Sequence, residues 1–122
     1  MANILVIDDE EDIRLILKEI LELEGHSITT SENGKNINNN DLPNYDLVIT
    51  DIFMPDQDGM QIIMDVKRLV PDMNIIAISG GAFFGVDNTL KTAQLLGARY
   101  TINKPFDIDD VVKKVNTLVS TS

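Results

Sequence analysis

Short apolar runs alternate with helical patterns along the whole chain. "NILVI" (3–7) reads as a buried strand, and Ile13, Ile16, Leu17, Ile20 and Leu23 then recur at helical spacing until Gly25 supplies a stop. "SITT" (27–30) is a weaker strand and "DLVIT" (46–50) a strong one. "GMQIIMDVKRLV" (59–70) has helical spacing and ends before Pro71, after which "NIIAIS" (74–79) is again continuously apolar. "DNTLKTAQLLG" (87–97) carries an aspartate cap and a glycine stop, and "YTIN" (100–103) is a short strand. Asp107 can cap a last helix with Ile108, Val111, Val112, Val115, Leu118 and Val119 on one side. The stretch "NGKNINNNDLPN" (33–44) breaks the rhythm: it holds six asparagines and a proline where a second crossover helix is needed, and predicts a short or frayed one.

Strands alternating with helices imply parallel pairing through right-handed crossovers, and strands apolar on both faces imply helices on both sides of the sheet. The class is a doubly wound α/β fold with five strands. The 122 residues, 1–122, fit a single domain. Hydrophobic residues at 43% and charged ones at 25% suit a soluble globular chain, and no apolar run approaches the roughly 18 residues of a membrane span. The start, Met1-Ala2-Asn3, has no basic region of the kind that opens a secretory signal, and the lack of cysteine excludes disulfide and thiol chemistry. A cytoplasmic protein is expected. The net charge of −10, without a basic patch, disfavours nucleic acid and anionic lipid as direct partners.

In open α/β sheets ligands collect beyond the carboxyl ends of the strands, near the point where strand order reverses. Asp8 and Asp9 follow the first strand, Asp51 the third, Ser79 the fourth and Lys104 the fifth. Each has a bland reading alone: helix cap, turn residue, loop hydroxyl, solvated amine. Together they describe one site. Three carboxylates in a cleft repel each other, and a hard divalent cation with oxygen ligands relieves that repulsion; magnesium suits it because it leaves positions for water and phosphate oxygens. A carboxylate can then act as nucleophile toward a phosphoryl group, with Lys104 as counter-charge and the Ser79 hydroxyl as donor. Asp51, ending the central strand, is the expected nucleophile.

"VIDDEED", "DLVITDIFMPDQDG", "AISGG" and "GARYTINKPF" closely resemble, in order and spacing over essentially the whole chain, the receiver domain of two-component response regulators. The resemblance implies the flavodoxin-like strand order 2-1-3-4-5, for which a chemotaxis receiver is a standard example. It implies Asp51 as phosphoacceptor, Asp9 as direct magnesium ligand, Asp8 as its partner through water, and the backbone carbonyl of Phe53 as a further ligand, with manganese as an alternative ion. Ser79 matches the switch hydroxyl and Lys104, before a typically cis Pro105, the phosphoryl-pairing lysine. The implied partners are a sensor histidine kinase or histidine phosphotransfer protein as donor and a downstream protein target. The switching face would be the fourth helix, fifth strand and fifth helix. Such a receiver is a signalling domain that assists its own phosphorylation and dephosphorylation. One position departs: Thr101 stands where family members commonly carry an aromatic switch residue, with Tyr100 one place earlier, on the opposite face of a strand. The competing readings are a receiver cut from a larger regulator with an output domain, and a metal-dependent phosphohydrolase in which water attacks the phosphate.

Other signals carry less. Asp56, Asp58 and Gly59 have the wrong register for a calcium loop, and "SGGAFFG" (79–85) matches neither a P-loop nor a dinucleotide fingerprint. Phe83 and Phe84 are a candidate partner contact, weighed against a ring tucked into the core, and Phe53 and Gly81 flank the site where water would enter. His26 falls at the far end of the first helix, away from the cleft, which rules out a Ser-His-Asp triad or a histidine metal site.

Overall fold

The computed structural model describes residues 2–34, 40–54, 57–79, 94 and 96–119, with backbone alone at 53, 54 and 57–59. Five parallel strands, β1 (Asn3–Ile7), β2 (Ser27–Ser31), β3 (Leu47–Asp51), β4 (Asn74–Ser79) and β5 (Tyr100–Asn103), form one sheet in the order β2-β1-β3-β4-β5. The described helices are α1 (Glu11–Leu23), α2 (Gly59–Leu69) and α3 (Ile108–Val119). This is the doubly wound arrangement expected from the sequence. A two-residue antiparallel ladder, Phe53–Met54 with Gln57–Asp58, was not expected and sits between β3 and α2.

Alternation along the strands divides the core into two layers. Ile4, Val6, Leu47, Ile49, Ile76 and Ile78 face α1 and α3, where Leu17, Leu21, Val111, Val115 and Leu118 meet them. Leu5, Ile7, Val48, Ile75 and Ala77 face α2, against Ile62, Ile63 and Val66. Each large aliphatic side chain so buried contributes about 1.5–3 kcal/mol.

Element ends follow local chemistry. Gly25, at φ 91°, closes α1: its N–H donates to the Glu22 carbonyl at 3.0 Å and the His26 N–H to the Leu21 carbonyl at 3.2 Å, which satisfies two otherwise orphaned acceptors. Asp107 caps α3 as expected, its Oδ1 accepting from the Asp109 N–H at 2.8 Å. Within 33–44 the described part contains a 3₁₀ turn, Leu42–Asn44; residues 35–39, where the short or frayed helix is expected, and almost all of the helix expected over 87–97 lie outside the described residues.

Three apolar assignments need correction. Ile16 and Leu23 on α1 and Ile108 on α3 are exposed, while Leu21 is buried. α1 carries leucine or isoleucine at 13, 15, 16, 17, 20, 21 and 23, so spacing alone permits more than one buried stripe, and packing selects the one through Leu17 and Leu21.

Candidate functional site

The carboxyl ends of β1, β3, β4 and β5 meet at one rim. Asp8 follows β1 directly and is fully buried, with its N–H bonded to the Ser31 carbonyl of β2 at 3.1 Å. Its Oδ1 accepts the Glu10 N–H at 2.8 Å, and its carbonyl accepts from Arg14 Nη1 at 2.7 Å. These two bonds fix the start of α1 against the end of β1. Asp51 is the last residue of β3 and is 1% exposed.

Lys104 reaches this rim from just beyond β5, whose end is tied to β4 by the Lys104 N–H donating to the Ser79 carbonyl at 2.7 Å. The Lys104–Pro105 peptide bond is cis. The Lys104 ammonium lies 2.8 Å from Asp8 Oδ2, 2.9 Å from Asp51 Oδ2 and 3.4 Å from Glu10 Oε1. Burial by itself would lower the Lys104 pKa, but hydrogen bonds to Asp8 and Asp51 and their charges outweigh it, so the amine stays protonated well above the ordinary lysine range. Asp8 moves the other way: burial raises its pKa, the Asp51 charge adds to the rise, and the bonds from Lys104 and the Glu10 N–H only partly offset it.

One ammonium therefore faces an excess of negative charge. Ligand oxygens of Asp8, Asp9, Glu10 and Asp51 all lie within 4.8 Å of one another, with Asp9 and Glu10 on the exposed side. Oxygen donors so grouped, with one buried carboxyl resisting ionisation, fit a hard divalent cation. Ser79 supplies a second sign of an incomplete site. It is 1% exposed, and its Oγ has no hydrogen-bond partner among the described residues, a costly state for a buried hydroxyl.

Of the residues singled out in the sequence, Asp8, Asp9, Asp51 and Lys104 come together directly, and Ser79 ends the adjacent strand. Phe53 opens the small ladder two residues beyond Asp51. Register pairs Thr101 with Ala77, which faces α2, whereas Tyr100 packs on the α1–α3 core, so the two do lie on opposite faces. Phe83, Phe84 and Gly81 lie outside the described residues. His26 is at the opposite end of the sheet, where its Nδ1 accepts the Ala2 N–H at 3.2 Å. Glu10 was missed. Its signal was its place in "VIDDEED", at the N-cap position, where glutamate is not among the preferred residues.

Residues 4–116 match the family model of the response regulator receiver domain. The chain is 34% identical over 125 residues to the DNA-binding transcriptional regulator NtrC of Azospirillum brasilense, covering 99% of this chain and 25% of that protein. It is 31% identical to the response regulator SaeR of Staphylococcus aureus, covering 98% of this chain and 51% of SaeR. The chain thus spans between a quarter and about half the length of these relatives. A crystal structure of a response regulator receiver domain protein from Clostridium thermocellum superposes with a TM-score of 0.87 at 32% identity, over 98% of this chain and 95% of that one.

Proposed function

Because the chain belongs to the receiver-domain family of response regulators, we propose that its carboxyl-end cleft is the reaction site and that Asp51 accepts a phosphoryl group from a phosphohistidine on a sensor kinase or phosphotransfer protein. The observation that carries this reading is the buried Asp51 carboxylate with the Lys104 ammonium 2.9 Å from its Oδ2, beside a cluster of further carboxylates. In the transfer the donor's P–N bond breaks and a P–O bond forms to Asp51. Lys104 then pairs with phosphoryl oxygens, and the Ser79 hydroxyl gains the acceptor it lacks among the described residues.

Asp8, Asp9 and Asp51, with the Phe53 carbonyl, would hold magnesium, which would neutralise charge developing on the phosphoryl oxygens. Aspartyl phosphate adds close to two negative charges, and Ser79 and Lys104 respond by moving the segments that carry them. The output is a shift of the face that includes β5 and α3, read by a downstream protein. No helix among the described residues is long and apolar enough to cross a membrane.

Intact mass after incubation with phosphoramidate, with and without magnesium, tests the reading. The expected result is a magnesium-dependent gain of one phosphoryl group that is absent from Asp51→Asn; full labelling of that variant would sink the assignment. A second reading, in which this receiver controls an attached output segment, is supported by the greater length of NtrC and SaeR. An open reading frame continuing past Ser122 in the complete gene would establish it.

A further inference from the structure

The Lys104 ammonium has three carboxylates around it, and they are not equivalent. Asp8 and Asp51 are buried, whereas the Glu10 side chain is 58% exposed and forms the water-facing side of the pair with a Lys104 side chain only 9% exposed. The Glu10 backbone is fixed at both ends: its N–H donates to Asp8 Oδ1 at 2.8 Å, and its carbonyl accepts the Arg14 N–H at 3.2 Å. Only the side chain can move. It does not cap α1 but lies over the cleft, with Oε1 3.4 Å from the Lys104 ammonium.

We propose that Glu10 is a positioning residue that competes with the phosphoryl group for Lys104, and so sets how much phosphodonor is needed to charge Asp51. The inference rests on Asp51 being the phosphoacceptor. Once Asp51 carries a phosphoryl group, Lys104 turns to its oxygens, and a carboxylate still holding the same ammonium opposes that transfer. Glu10 therefore favours the uncharged receiver over the phosphorylated one. It acts through Lys104, which separates it from a further cation ligand and from a general source of repulsion.

The test is phosphoramidate labelling at saturating magnesium, followed by intact mass against donor concentration, for wild type, Glu10→Gln and Glu10→Asp. An ion pair with one exposed partner has a modest coupling, so Glu10→Gln is expected to lower the half-saturating donor concentration about two- to fivefold. Glu10→Asp keeps the charge but is one methylene short of Lys104, and it is expected to follow Glu10→Gln. In a Lys104→Ala background the Glu10→Gln shift is expected to vanish. Coincident curves for wild type and Glu10→Gln would overturn the inference. So would wild-type behaviour of Glu10→Asp beside a shifted Glu10→Gln, which would indicate bulk charge. A raised magnesium requirement in Glu10→Gln would overturn it as well, by making Glu10 a ligand. Wild-type protein that takes no label at Asp51 would remove the phosphoacceptor reading itself, an outcome distinct from the other three.

Discussion

The two ends of the sheet are built on opposite terms. At the amino end polar groups pair one to one. The Ala2 N–H donates to His26 Nδ1 at 3.2 Å, which leaves Nε2 to carry the proton and donate to Asn116 Oδ1 at 2.9 Å, while Asn116 Nδ2 donates to Glu24 Oε1 at 3.0 Å. The Asn3 N–H, nearby, is met by Asp46 Oδ2 at 2.9 Å. At the carboxyl end four carboxylates cluster, three of them around one ammonium, and a buried hydroxyl has no partner among the described residues. The amino end joins β1, α1 and α3 through hydrogen bonds in which each donor meets one acceptor, with its two carboxylates, Glu24 and Asp46, in bonds on the exposed side. On the proposed function, the carboxyl end keeps unbalanced charge that a cation and a phosphoryl group would offset. On that reading stability belongs to the first end and chemistry to the second.

The sharpest way to break this contrast is Asp51→Asn, which should abolish acylphosphate formation while leaving the fold intact, as read by intact mass and by urea unfolding. A variant that loses label because it is unfolded would show that the carboxyl end is structural after all. Next in size is the opposite experiment. His26→Ala strands the Ala2 N–H and Asn116 Oδ1 and should lower unfolding free energy by about 2 kcal/mol, read as a lower urea midpoint at unchanged slope. Its labelling at Asp51 should match wild type below the melting transition; a loss of labelling would tie the amino end to the chemistry.

A smaller effect follows from Asp8. A carboxyl whose folded pKa is raised above its unfolded value is disfavoured by the fold when charged, so it withdraws stability above the folded pKa and returns it as pH falls through that value toward the ordinary 3.8. In the absence of divalent cations Asp8→Asn should therefore be more stable than wild type at pH 7, by about 1 kcal/mol. The difference should narrow as the pH is lowered toward the ordinary range. Paired urea titrations at several pH values would check it; a gap that widens on acidification would mean that the Lys104 contact outweighs burial at Asp8.

Much of the carboxyl end was legible because parallel strands leave a plain sequence mark. Asp51, Ser79 and Lys104 are polar residues at the ends of apolar runs, and the topology brings such ends to one edge. Glu10 was obscured by its neighbours, since acids at the start of a helix are expected from the dipole alone, and Glu11 and Asp12 have that role in the first turn of α1. The His26 network left no local signal, because Ala2 and Asn116 are distant in sequence and meet only after α3 packs on the sheet. The exposed Ile16 and Leu23 show the same limit on a helix with seven leucine and isoleucine positions: periodicity marks the helix, and only tertiary packing decides which of them are buried.

The smallest effect gives the closest test of what the carboxyl end is for. Ser79→Ala removes a buried hydroxyl that makes no hydrogen bond among the described residues and leaves a methyl group of nearly the same shape. Replacing such a group with an apolar one is close to neutral or slightly stabilising, so the unfolding free energy should change by less than about 1 kcal/mol and in the favourable direction. Labelling at Asp51 should persist, because the hydroxyl is not the nucleophile. What should be lost is the response: amide chemical shifts in β5 and α3 that move on phosphorylation of wild type should move less in Ser79→Ala. A clear loss of stability would mean that the hydroxyl is already bonded in the resting protein, and the unbalanced end of the sheet would then be confined to its carboxylates.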